Sequence, residues 1–245
     1  METLRETHPY NLKEPIPEGT RILIVGTAPP PRFSNPNCRE VGANKLDFAF
    51  FYGSGDNYFW KWIDEIGTEQ GTPLPSEEAE PEEYSAAARI FLRRHNIWMK
   101  DVLQTYQRKR ENPCGATDGS LERPLPEDCT NFLQVLKEHP SINSVVFTSE
   151  LACEWTFMAM RDEKIAQSYR SAIRSRKAQE EGKTGDEYLD LKCREPFYIA
   201  DINGRRVRFF IAISPSQRAG SKRGLREDHK RELYKRLLFS VPRSD

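Results

Sequence analysis

FAFFYGSGDNYFWKWI, residues 48–63, is the stretch on which the reading of this chain turns. Its first half is a strand-like aromatic run that meets a Gly-Ser-Gly break; its second half opens a helix with Phe59 and Trp60. Phe59, Trp62, Ile63 and Ile66 recur at i, i+3, i+4 and i+7, the spacing of one buried helix face. Asp56 and Asn57 precede that helix, and either offers an oxygen to its unpaired first-turn amides. Phe50, Phe51 and Tyr52 run into a glycine turn bearing a carboxylate and an amide, a juncture suited to stacking a flat ring and contacting its polar edge.

Working outward, residues 21–25 (RILIV) form a short buried strand that runs into Gly26-Thr27-Ala28-Pro29-Pro30-Pro31. A glycine closing a parallel strand sets the next loop at the carboxyl edge of the sheet, where open α/β folds bind ligands. The loop is not a phosphate-binding P-loop, because the Gly-Lys-Ser/Thr ending is missing. Residues 84–94, 127–138 and 151–160 read as helices, and residues 144–148 (SVVFT) as a second buried strand. Strands at 197–202 and 207–213 bracket Asn203-Gly204, a favoured hairpin turn, and a last helix covers 225–238. This alternation predicts a three-layer α/β/α sandwich with a mainly parallel central sheet. One domain spans 1–245, with insertions near 68–83, 107–126 and 161–196. The last of these is highly charged and helical in pattern.

Composition narrows the function. Hydrophobic residues make up 37% and charged residues 30%, no apolar run reaches membrane-spanning length, and METLRETHPYNLKEP lacks a signal-peptide core. The five cysteines are scattered without a CxxC or Cys/His cluster, which argues against a zinc or iron–sulfur site. Reduced thiols in a cytoplasm are expected. Net charge is zero, yet from Gly204 to Arg236 there are eleven Lys/Arg against three Asp/Glu, while residues 69–83 hold six Glu and no base. The basic stretch is expected to attract a phosphate backbone.

Three loops at strand ends, GTAPPP (26–31), YGSGDN (52–57) and SPSQRAG (214–220), together resemble the uracil-DNA glycosylase superfamily. Members carry a Gly-x-x-Pro loop, an aromatic segment ending in Asn-x-Phe-Trp and a late Pro-Ser loop. The nearest branches are the mismatch-specific uracil and the hypoxanthine-DNA glycosylases. IWMKDV (97–102) followed by DGSL (118–121) is similar to a further stretch of the hypoxanthine branch. The four matches fall in family order between residues 21 and 238, leaving the insertions unmatched.

The resemblance implies hydrolysis of the bond between a damaged or modified base and deoxyribose, after the nucleotide is flipped out of DNA. It calls for no metal, organic cofactor or membrane. By position, Asn57 would hold the attacking water, with Asp56 as a base or an electrostatic support for the sugar cation. Tyr52 and Phe51 would stack on the base, and Gly26, Thr27 and Ala28 would contact base or water. Ser214 and Ser216 would hold flanking phosphates, Gln217 and Arg218 would enter the gap in the duplex, and Lys222, Arg223 and Arg226 would attract phosphates. Two departures stand out: Ala28 replaces the usual Asp or Asn of the first loop, and Ser214 replaces a frequent His of the last. His95, His139 and His229 fall outside the expected site. Three alternatives stay open: a damage-binding protein without activity, a glycosylase acting on modified phage DNA, and a hydrolase of free nucleosides.

Overall fold

Strands β2 (Ile22–Gly26), β3 (Ile97–Asp101) and β5 (Ser144–Phe147) are buried end to end, as strands covered on both faces must be. The computed structural model describes residues 4–76, 79–216, 219 and 223–239. Its main sheet also contains the hairpin strands β6 (Tyr198–Ile202) and β7 (Arg205–Ile211), in the order β3-β2-β5-β7-β6. All neighbours are parallel except β6 and β7. A separate two-stranded ribbon joins β1 (Arg5–Thr7) to β4 (Thr105–Gln107). The parallel sheet read from the sequence is therefore present, and its hairpin turns at Asn203 and Gly204, both with positive φ.

Seven helices flank the sheet among the described residues: α1 (Phe59–Glu69), α2 (Pro81–Arg94), α3 (Phe132–Glu138), α4 (Glu150–Ala159), α5 (Glu163–Glu180), α6 (Gly185–Arg194) and α7 (Glu227–Phe239). Phe157 of α4 packs on Phe147 and Phe209 of the sheet and stacks on Tyr169 of α5. On α1, Phe59 and Trp62 meet Tyr234 of α7, so the i, i+3 face does point into the core. The amphipathic helix expected from 127 begins only at Phe132, after Asn131 accepts the amide of Gln134.

Helices α1 and α7 lie side by side in the same direction. Lys61–Glu227 (2.8 Å), Glu65–Arg231 (2.7 Å) and Glu69–Lys235 (2.5 Å) form a ladder of ion pairs, each linking residues 166 apart. Arg236 pairs with Asp190 and Glu232, and Arg226 with Asp228. These contacts revise the expectation of a free phosphate-attracting stretch. Much of its positive charge faces carboxylates, and such exposed pairs add little stability each.

Residues 161–196 form α5 and α6, joined by a buried cluster the charge-rich sequence did not suggest. Lys192 Nζ lies 2.7 Å from Glu180 Oε1, and Arg176 donates to the Leu191 and Glu195 carbonyls. Burial lowers the proton affinity of both cations, with Glu180 opposing the shift.

Candidate functional site

The parallel strands β2, β3, β5 and β7 end along one edge of the sheet, and the loops after them hold the polar residues of the site. Gly26 closes β2 at a point where no side chain fits: a Cβ there would overlap Asp101 Oδ1 and the Tyr52 hydroxyl. Tyr52 reaches this point from an αL backbone (φ 56°), a conformation bulky residues rarely adopt. Its hydroxyl lies 2.6 Å from Thr148 Oγ1, just past β5, and its ring lies 5.2 Å from that of Phe59. Burial pushes the Tyr52 hydroxyl well above its ordinary proton affinity, and the charge of Asp101 adds to the shift.

The segment leading to Tyr52 is a tight turn, not the strand its aromatic run suggested. Phe48 donates to the Gly53 carbonyl (2.8 Å) and Gly53 to the Phe50 carbonyl (3.1 Å). Backbone so folded cannot also pair in a sheet. Phe51 belongs to the core: it is 2% exposed, its ring lies against His8 and Tyr10, and its carbonyl accepts from Trp60 Nε1 at 2.8 Å. It offers no free face for a base, which removes Phe51 from the stacking role expected of it.

Asn57 supplies the expected helix-start oxygen, with Oδ1 accepting from the Phe59 amide at 2.9 Å. Its Nδ2 has no hydrogen-bond partner among the described residues. The Asn57 backbone pairs with Ser216 in an antiparallel bridge, and Tyr58 donates to the Pro215 carbonyl at 3.2 Å. The second and final loops are thereby pinned together, while Tyr52 ties the second to the first. Asp56 departs from expectation. Its side chain is 61% exposed, paired with Arg32 at 3.3 Å and held by Asn44 at 3.2 Å, which leaves it hydrated and neutralised.

Two carboxylates at the edge escaped the sequence reading. Asp101 ends β3 and is 5% exposed; its Oδ2 lies 2.8 Å from His8 Nε2. His8 Nδ1 accepts the amides of Tyr10 (3.1 Å) and Asn11 (3.0 Å), so the ring proton sits on Nε2 and is donated to Asp101. Asn11 fixes the backbone there, donating to the carbonyls of Asp101 and Leu103. Asp118, from the 107–126 insertion, accepts from Thr27 Oγ1 at 3.1 Å, and Thr27 Oγ1 lies 3.3 Å from Ser149 Oγ. Burial raises the proton affinity of Asp118, the Thr27 and Ser149 hydroxyls oppose that, Asp101 adds to it and Arg108 opposes it. Because the folded carboxyl holds its proton more tightly than the unfolded one, ionising it costs stability as pH rises through the shifted value. The aspartate that closes IWMKD was the available signal for Asp101. For His8 the sequence offered none, and for Asp118 only the DGSL resemblance, which assigned it no role.

In the final loop the Ser216 amide donates to Ser214 Oγ (3.4 Å), and Lys230 Nζ donates to the Ser216 carbonyl (3.1 Å). Gln217, Arg218 and Lys222 lie outside the described residues. Arg223 donates to the Glu180 (3.1 Å) and Lys183 carbonyls and covers the Tyr188 ring, so it anchors the chain to the end of α5. Arg226 remains exposed beside Asp228. Cys38 and Cys114 form a disulfide with Cα atoms 5.5 Å apart, correcting the expectation of reduced thiols throughout. Among the described residues no group of three or more His, Cys, Asp or Glu is placed to hold a metal ion, and no helix is long and apolar enough to cross a membrane.

Tyr52 and Asn57 also line a cavity of about 400 Å³, with Phe48, Tyr58, Trp60 and Tyr84 on its walls. None of its lining residues comes from the first loop, the final loop or Asp118, so this cavity is not where the three loops meet. No known protein family matches the sequence, and no curated protein does. Among solved structures, the chain is similar to the solution NMR structure of a Methanosarcina acetivorans protein described as a "putative Uracil DNA glycosylase". The two are 17% identical, 89% of each chain is covered, and the TM-score is 0.44. At that distance, the chemistry is read from the site's own residues.

Proposed function

We propose that the protein is a DNA glycosylase of the uracil-DNA glycosylase superfamily, releasing a deaminated or otherwise modified base from a flipped nucleotide. The observation that carries this reading is the meeting of three loops, remote in sequence, at one sheet edge: Tyr52 over Gly26, and Asn57 paired with Ser216. Tyr52 stacks on the everted base, and the amides of Thr27 and Ala28 contact its edge or the water. Asn57 holds the attacking water through its Nδ2 group, which no other described residue occupies. Ser214 and Ser216 take the flanking phosphates; by the sequence resemblance alone, Gln217 and Arg218 are assigned to the gap in the duplex and Lys222 and Arg226 to its phosphates. Hypoxanthine and uracil are the first bases to test, with the hypoxanthine branch favoured by the 97–102 and 118–121 stretches.

Ala28 favours a second reading, a protein that binds damaged DNA without cutting it, because its methyl group neither holds nor deprotonates water. Incubating the protein with duplexes bearing one uracil, hypoxanthine, xanthine or bulky modified cytosine separates the two. The glycosylase reading expects free base and alkali-labile strands from at least one duplex. Tight, lesion-selective binding with no base released from any of them favours the second.

A further inference from the structure

An amide such as Asn57 positions water but does not deprotonate it, and Asp56 is exposed and paired with Arg32. Ala28 leaves the first loop without a base. The 107–126 insertion brings a carboxylate to the same place: Asp118 is bonded to Thr27, the neighbour of Ala28. The insertion is docked firmly there. Arg108 is 3% exposed and donates to the Pro29 carbonyl of the first loop (2.9 Å) and to the Gly115 carbonyl (2.7 Å). The Cys38–Cys114 disulfide ties the same insertion to the chain after the first loop. Asp101, the other edge carboxylate, already accepts from His8 and is boxed in by Gly26 and Tyr52.

We propose that Asp118 is the general base of the reaction, supplied by the insertion in place of the acid that Ala28 cannot provide. The proposal rests on the glycosylase reading. The water oxygen bonds to C1′ of the deoxyribose as the C1′–N bond breaks. The electron pair of that bond leaves with the base, which takes a proton from solvent. The proton lost by the water goes to Asp118, which later returns it to solvent. Partial burial, with the charge of Asp101 adding to it, makes this carboxyl hold a proton more tightly than a hydrated one, which suits it to this task.

The test compares wild type with Asp118→Asn, similar in shape but unable to act as a base, and Asp118→Glu, which keeps the carboxylate. Single-turnover release is measured on the best-cleaved of the uracil, hypoxanthine and xanthine duplexes, and binding on a duplex with a tetrahydrofuran abasic analogue. Asp118→Asn is expected to slow release on the order of 100-fold or more, with affinity for the analogue unchanged. Its melting temperature is measured alongside, so that a loss of rate is not mistaken for a loss of fold. Asp118→Glu should release base faster than Asp118→Asn. Wild-type rates in Asp118→Asn, loss of binding in parallel with rate, or a Glu variant no better than Asn overturns the assignment while leaving a glycosylase. Wild-type protein that releases no base from any duplex overturns the glycosylase reading and this proposal with it.

Discussion

An Asn57→Asp protein is expected to melt as wild type does yet release base on the order of 100-fold more slowly, the usual cost of losing one positioned donor at a reacting centre. The substitution keeps an oxygen for the Phe59 amide, so the start of α1 stays satisfied. It also leaves intact the backbone bridge to Ser216. Only the NH2 donor is lost, replaced by a negative charge. Alanine is a poorer probe, because removing the oxygen that caps Phe59 adds about 1 kcal/mol of instability to any catalytic loss. Single-turnover kinetics with the duplex cleaved by wild type settle the matter. A rate equal to wild type would show that the amide does not touch the reacting water, and Asn57 would then be a helix cap only.

Gly53→Ala is expected to lower stability by about 3 kcal/mol, near the upper end for overpacking. A Cβ at Gly53 would overlap the Phe48 carbonyl oxygen and crowd that of Phe50. Both are backbone atoms held by the hydrogen bonds that close the turn, so neither yields as a flexible side chain does. Opening the turn releases Tyr52 from its αL position, and with it the contact to Thr148. Urea unfolding measures the loss, and base release should fall even below the unfolding midpoint. An unchanged midpoint would mean the turn is held less tightly than its hydrogen bonds indicate.

What the sequence disclosed was set by local periodicity. The runs around Leu23 and Val145 and the face of Phe59, Trp62 and Ile63 are one-dimensional patterns, and they appear in the fold where the spacing puts them. The aromatic run at 48–52 has no alternation to distinguish strand from turn, and only the carbonyl beside Gly53 decides it. The basic residues of α7 read as a free patch because their partners on α1 lie 166 positions earlier. His8 sits in a polar arm with no period, and its value comes from Asp101, which folding brings alongside. Asp118 was visible as a letter within DGSL, but its approach to Thr27 depends on an insertion whose course no pattern announced. The Cys38–Cys114 pair, 76 residues apart, was hidden for the same reason.

The central claim, that residues 26–28, 52–58 and 214–216 act as one nucleotide-gripping edge, is most directly tested by amide hydrogen exchange with and without a duplex containing a tetrahydrofuran abasic analogue. The account predicts that amides in all three segments slow together on binding, and more with the analogue than with an undamaged duplex. Slowing confined to other surfaces, with these three segments exchanging as in the free protein, would contradict it.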